Sequence, residues 1–276
     1  MHVVFLLTAC VSIAAVALIC AYLLGNGIPT IGEIGLGNFF GKVWKPSKDL
    51  YGIFPMIVGS IYVTAGAILI GVPIGLLTAV YLARFCPKGL YRVVKPAVDL
   101  MAGIPSIVYG FFGLVVIVPM VQKLTGSSGK GLLTASLLLG MMILPTIIGV
   151  AETSIRAVPE SYYEGSLALG ATHIETVFRV TVPAARSGIA TAIVLGIGRA
   201  IGEAMAIIMV AGNVANMPGL LTPVRFLTTA IASEMSYASV GSLHRNALFS
   251  IGLVLFLFIM LINVFLNVFI KRKKED

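Results

Sequence analysis

The sequence predicts an all-α, polytopic membrane protein with about six transmembrane helices, and three observations predict it. Hydrophobic residues make up 58% of the 276-residue chain and charged residues only 11%, against roughly 25% charged in a soluble domain. A mean hydropathy of +1.04 leaves too little polar surface to cover a globule of this length, so lipid is the solvent for most of it. Six apolar stretches each reach the ~20 residues that cross a bilayer as a helix.

The first stretch covers residues 3–24 and carries no charge. It lacks a basic leader and a clear cleavage site, so it reads as a retained helix rather than a signal peptide. The second, residues 54–83, is longer than an upright helix needs, which implies tilt or a kink. Pro73 supplies the kink, and Gly71 and Gly75 form a small face for close helix contact. The third, residues 97–119, is interrupted by Gly103-Ile104-Pro105. The fourth, 132–150, contains Pro145, the fifth covers 188–212, and the sixth, 247–270, stops at Lys271-Arg272-Lys273-Lys274. Asn213 and Asn216 mark the end of the fifth. One membrane domain, residues 1–276, follows, with an added N-terminal helix and a core over about 54–270.

Basic residues in the loops set the orientation. With both termini cytoplasmic, the inner side receives Arg84, Lys88, Arg92, Lys95, Arg156, Arg179, Arg186 and the C-terminal four. The outer side receives Lys42, Lys45, Lys48, Lys123, Lys130, Arg225 and Arg245. Eleven against seven favours a multi-pass protein of the cell (inner) membrane in that orientation. The net charge of +8 is spread between spans rather than over one polar face, which argues against a nucleic-acid partner. Trp44 and Tyr51 fall in the first outer loop, where aromatic interface anchors sit. Cys10, Cys20 and Cys86 form neither a disulfide framework nor a metal site.

The loop between the fourth and fifth spans, residues 157–187, is the most informative stretch. Pro159 opens a helix, and Glu160 suits its positive end. Gly170 fits the left-handed position that ends it. Thr172-x-x-Glu175 makes a capping box for a second short helix, and Pro183 ends that one. Leu167, Leu169, Ile174, Val177 and Phe178 give the hairpin apolar contacts. Two readings stand on physics alone: a hairpin resting on lipid headgroups, or a docking element for a cytoplasmic protein.

The fifth span places Arg199 and Glu203 four residues apart, on one face of a continuous helix. An arginine at mid-membrane costs about 2.5–3.5 kcal/mol on insertion scales, which pairing with Glu203 would offset. Gly198 and Gly202 admit close approach. The pair is a structural tie, a charged point on a solute path, or both. An arginine fork suits a tetrahedral oxyanion. A carboxylate beside it makes sense if the anion carries a proton, as hydrogen phosphate does and sulfate does not. Ser106 and Tyr109 follow the Pro105 break and either line a path or satisfy freed backbone groups. Asp99 beside Lys95 reads as an interfacial ion pair. Glu234, His244 and Arg245 lie in the last outer loop, as a contact for a solute-binding protein or as a solvated loop.

Several of these stretches resemble a known family. Glu164-Gly165-Ser166, Gly170 four residues on, and Val180-Thr181-Val182-Pro183 after nine more resemble the EAA loop of ABC importer permeases (MetI-like core). Gly165 and Ser166 stand for the two alanines, and Val180 and Val182 for isoleucine and leucine. Residues 103–113, 198–206, 227–238 and 244–249 resemble the phosphate-importer permeases of the PstC type. The resemblance implies that residues 157–187 form the coupling element seated in an ATPase subunit, with Glu164, Gly165, Ser166, Gly170 and Pro183 as its marked positions. It also implies that Arg199 and Glu203 serve phosphate passage. The partners implied are a second homologous permease, two ATPase subunits and an extracytoplasmic phosphate-binding protein, in membrane lipid.

The chain has no phosphate-binding Gly-x4-Gly-Lys motif, zinc-protease motif or nucleophile elbow. It is therefore expected to be no enzyme and to hold no cofactor or metal, with ATP and magnesium used by the partner subunits. The rival readings are a molybdate or sulfate importer permease and a channel or secondary carrier that works alone.

Overall fold

The computed structural model describes the backbone of residues 1–275 and the side chains of residues 1–264. The basic side chains of the run from Lys271 to Lys274 lie outside the described residues.

Helix α1 (His2–Ile34) is apolar on every side and buries only Gly27, Thr30 and Ile34. That pattern marks a lipid-exposed helix with one contact seam. After the short turn α2 (Leu36–Phe39), an antiparallel hairpin pairs Trp44 with Tyr51 and Lys45 with Leu50. Helix α3 (Phe54–Val80) continues as a π-helical turn over Tyr81–Phe85. Helix α4 (Lys88–Gly103) lies between spans, and α5 (Ser106–Phe112), a π-helical turn (Gly113–Ile117) and α6 (Val118–Thr125) make the third crossing. The third span thus begins at Ser106, because Pro105 cannot continue the preceding ladder. Residues 97–103 belong to α4, which carries too many charges to cross.

Helix α7 (Leu132–Arg156) runs six residues beyond the apolar stretch, to Arg156. Helices α8 (Glu160–Ala168), α9 (His173–Thr176) and α10 (Val182–Ala184) form the following loop, and α11 (Arg186–Gly202) and α12 (Met205–Val210) the fifth crossing. Helix α13 (Leu227–Glu234) precedes α14 (Leu243–Glu275). Among the described residues five helical segments are long and apolar enough to cross a membrane, and the number is six if the bent pair His173–Ala184 and Arg186–Gly202, angled by 70°, counts as one span. The seventeen residues of α11 span only about 26 Å, so α12 completes that crossing.

Helix α7 is the centre of the fold, buried along much of its length. The small face expected on α3 packs against it. A Cβ on Gly71 would lie 2.7 Å from Ile143 and 2.8 Å from the Gly140 carbonyl, and one on Gly75 2.9 Å from Ile147. Gly196 of α11 closes on the same Ile147 from another side. Helix α1 is joined to α14 by Ser250 Oγ, which donates to the Gly27 carbonyl at 3.0 Å, and by an edge-to-face contact of Tyr22 with Phe249.

Candidate functional site

The fifth crossing is not continuous. It stops after Gly202, Glu203 takes an extended backbone (φ −72°, ψ 130°), and α12 starts at Met205. Arg199 and Glu203 therefore do not share one helix face, and among the described residues no ion pair joins them. The Glu203 carboxylate instead accepts the N–H of Ala206, the second residue of the new helix, at 3.1 Å, satisfying one of the free donors of its first turn as an N-terminal cap does. The carbonyl of Glu203 accepts the Thr228 hydroxyl of α13 at 2.9 Å. The broken backbone is thus partly re-satisfied from its own side chain and from a neighbour, which is what permits a break at membrane depth.

Arg199 sits one turn before the break, half-buried. Its Nη1 donates to the Thr146 hydroxyl of α7 at 3.2 Å. Gly198 and Gly202 face open space, since a Cβ on either would meet nothing within 4 Å. The close approach expected there is not made among the described residues. Leu195 is exposed beside them.

The second break, at Ile104–Pro105, lies next to the first. Gly110 of α5 packs so closely on α12 that a Cβ there would stand 2.9 Å from Ala206 Cα. Tyr109 is buried, and its hydroxyl donates across the break to the Met101 carbonyl at 2.9 Å. It thus satisfies a freed backbone group while lining, with Met101, Ile104, Val108, Phe112 and Met141, an apolar cavity of about 360 Å³. Ser106 begins α5, half-buried.

The loop at 157–187 folds as its sequence predicts up to its end. Pro159 precedes α8 and Glu160 opens it. Gly170 has φ 89°, and Thr172 and Glu175 form a reciprocal capping box. The Thr172 N–H and then its hydroxyl hold the Glu175 carboxyl below its usual range. Two clasps close the hairpin: Tyr163 Oη on His173 Nδ1 at 2.6 Å and Ser166 Oγ on Thr176 Oγ1 at 2.9 Å. Pro183, however, does not end the second helix. A π-helical turn (Val177–Thr181) carries it on, Pro183 sits in the last turn, and the chain bends at Ala185.

The hairpin is anchored on one side. Arg84 Nη1 pairs with Glu160 at 3.0 Å, Phe85 meets the His173 ring edge-on at 4.7 Å, and Val177 is fully buried with Ala79, Ala151 and Ile155. It leaves Leu167, Leu169, Ile174 and Phe178 exposed, with Leu169 91% exposed. Glu164 and Gly165 are exposed on the same hairpin.

Beside it lies a cluster that the sequence reading passed over. Glu152 of α7, only 2% exposed, accepts from Arg156 Nε at 2.9 Å and Tyr91 Oη at 2.8 Å, with Lys95 Nζ 3.3 Å away. Lys95 also pairs with Asp99 at 2.9 Å, as expected. Burial alone would lower the Lys95 ammonium, but its bonds to Asp99 and Glu152 outweigh it and raise it. The four-residue spacing of Glu152 and Arg156 was the available signal.

At the opposite end Glu234 is buried rather than solvated. Trp44 Nε1 donates to it at 3.0 Å, His244 Nε2 lies 2.8 Å away, and Arg225 pairs with it. Trp44 and Tyr51 are likewise buried against this cluster instead of lying in a lipid interface.

Comparison with known proteins gives a consistent result. The family described as binding-protein-dependent transport system inner membrane component matches residues 71–275. The chain is 42% identical over 227 residues to the probable ABC transporter permease protein YqgH of Bacillus subtilis, covering 79% of this chain and 74% of the relative. It is 35% identical to the phosphate transport system permease protein PstC of Haemophilus influenzae, over 84% of this chain and 80% of that one. The probable PstC of Methanocaldococcus jannaschii is 31% identical over 94% and 89%. Among solved structures, the inward-facing MetNI methionine ABC transporter superposes with a TM-score of 0.59 at 23% identity, covering 80% of this chain and 94% of that chain. A bacterial ABC transporter for the acidic polysaccharide alginate gives 0.61 at 17%, covering 95% and 97%. The fold is therefore that of an ABC importer permease.

Proposed function

Because this chain belongs to the family of binding-protein-dependent transport system inner membrane components, we propose that it is the permease subunit of an ATP-driven importer of inorganic phosphate. The observation that carries the substrate is the likeness, over most of the chain, to relatives named as phosphate transport permeases.

The chain is a non-catalytic permease, with ATP and magnesium handled by partner subunits. A second, similar permease completes the pathway, and an extracytoplasmic binding protein delivers the anion. Two ATPase subunits dock from the cytoplasm on the exposed apolar side of the hairpin at 157–187. That places the Arg84–Glu160 end, and both termini, on the cytoplasmic side. ATP binding drives alternating access through the hairpin, which Arg84 and Phe85 after α3 hold from outside and whose own Val177 is buried against α3 and α7, so that its motion passes to the spans.

Arg199 is the positive point on the path. Thr146 orients its guanidinium and leaves other N–H groups for an oxyanion. Glu203 caps α12 with one oxygen. Its charge repels an unprotonated dianion such as sulfate and accepts the proton that hydrogen phosphate carries.

The test is uptake by the reconstituted complex, with retained ATPase measured by co-purification. Glutamine is the right replacement at Glu203, because its amide oxygen still accepts from Ala206 while the charge is gone. Arg199→Gln is expected to cut phosphate uptake about 10- to 100-fold, from one or two charged hydrogen bonds lost, in an assembled complex. Glu203→Gln is expected to admit sulfate. Parent-like uptake by Arg199→Gln would overturn its pathway role, and unchanged sulfate rejection would overturn the filter. Uptake that ignores ATP, with no ATPase retained, would overturn the importer reading itself.

A further inference from the structure

A cavity of about 360 Å³ opens between the end of α3, the start of α4 and the end of α7. Leu82, Ala83, Arg84, Cys86, Lys88, Tyr91, Arg92 and Arg156 line it. Four of these are cations and none is a carboxylate. Two of the charges are already spent: Arg84 Nη1 on Glu160, and Arg156 on Glu152 and the Leu82 carbonyl, with its guanidinium over the Tyr91 ring at 4.6 Å. Lys88 and Arg92 have no ion-pair partner among the described residues. Arg84 also keeps Nε and Nη2 without a protein partner.

Helix α4 is built for a membrane surface. Lys88, Arg92, Lys95 and Asp99 recur on one side at helical spacing. Leu90, Val93 and Leu100 recur on another, at 44%, 68% and 74% exposure. A helix with one basic face and one exposed apolar face lies in the headgroup plane, its apolar side in the acyl layer. It runs from the end of one crossing, Phe54–Phe85, towards the start of the next, Ser106–Thr125, which puts the cavity at headgroup depth.

We propose that this cavity is a phosphate-group site at the membrane surface, filled by the phosphodiester of an anionic phospholipid headgroup or by free phosphate. Guanidinium forks match a phosphate's oxygens two at a time, and basic pockets between transmembrane helices hold such headgroups. The lipid source has the exposed apolar stripe of α4 beside it to take the acyl chains. This inference does not rest on the substrate carried by the transporter.

The experiment uses the assembled complex in neutral detergent, with bound lipid counted by native mass spectrometry. Phosphatidylglycerol and phosphatidylcholine are offered separately, to the parent and to a Lys88→Gln/Arg92→Gln double variant. Both side chains are surface groups, and parent-like melting verifies the fold. The parent is expected to retain phosphatidylglycerol selectively, and the double variant to lose about fivefold in retention for each charge removed. A second arm adds millimolar inorganic phosphate. Lipid retention that survives assigns the site to the headgroup, and displacement assigns it to free phosphate. Equal retention of the two lipids with no phosphate effect, or parent-like selectivity in the double variant, would overturn the site.

Discussion

Replacing Glu152 with alanine is the most informative test of how α4 is held to the bundle. The carboxylate is 2% exposed and serves three donors, Arg156 Nε at 2.9 Å, Tyr91 Oη at 2.8 Å and Lys95 Nζ at 3.3 Å. Deleting one member of a buried charge pair costs about 3–5 kcal/mol when the remaining charge is stranded. Here neither cation is fully stranded. The Arg156 side chain is 45% exposed and keeps the Leu82 carbonyl, and Lys95 is 23% exposed and keeps Asp99. The low end of the range applies, about 3 kcal/mol. For a chain of this size that corresponds to a melting-temperature loss of about 6–12 °C. Glu152→Gln retains an acceptor for Tyr91 and should lose about 1 kcal/mol. The assay is thermal unfolding of the purified complex in detergent, with hydrogen exchange resolved over α4. Both effects should concentrate at α4 and the end of α7. If the alanine and glutamine variants melt within a degree of the parent, the carboxylate does not hold these helices together and the reasoning fails.

Two further outcomes follow from the packing and the caps. Gly71→Ala places a Cβ against both Ile143 and the Gly140 backbone and should destabilise by about 1–3 kcal/mol. Gly149→Ala on α7, where a Cβ meets nothing, should be neutral or slightly stabilising in the same melting assay. The capping box should respond to acid. Because Glu175 is held below its usual carboxyl range by Thr172, its contribution is complete above the ordinary glutamate pKa and fades as pH falls through the lowered value. Hydrogen-exchange protection of residues 172–176 should therefore drop in acid in the parent. In Glu175→Gln it should be flat with pH; a drop of equal size there would assign the effect to another group.

Most of the fold was legible because lipid enforces it. Length, apolar content and small-residue spacing locate the crossings and the α3–α7 seam, and the hairpin's caps are local signals that need no tertiary knowledge. The shortfalls have tertiary causes. Glu234, Trp44 and Tyr51 read as surface groups because the contact that buries them joins distant parts of the chain, Trp44 donating to Glu234 across 190 residues. The third crossing was placed too early because apolar composition runs through Gly103-Ile104-Pro105 without marking where the backbone leaves the helix. Pro183 was given a terminating role because its effect depends on whether the preceding turn can widen, and a π-helical turn lets it.

The larger revision concerns Arg199 and Glu203, and it changes what the site can do. A four-residue spacing makes an ion pair only on a continuous helix. No proline marks the break after Gly202, and the residue that takes the extended backbone is the acid itself. Once Glu203 caps α12, it gains a hydrogen bond worth about 1 kcal/mol and its carboxylate is directed to the second half-helix. Arg199 then stands half-buried in the span with a threonine hydroxyl as its hydrogen-bond partner and no carboxylate paired to it among the described residues. A guanidinium left so costs about 2.5–3.5 kcal/mol at mid-membrane. An intact salt bridge would already have offset that cost, and an arriving anion would have had to compete with Glu203. In the proposed importer the broken helix leaves this charge open to the anion, so that the break itself, more than the charged pair, is the feature that would suit this span to transport.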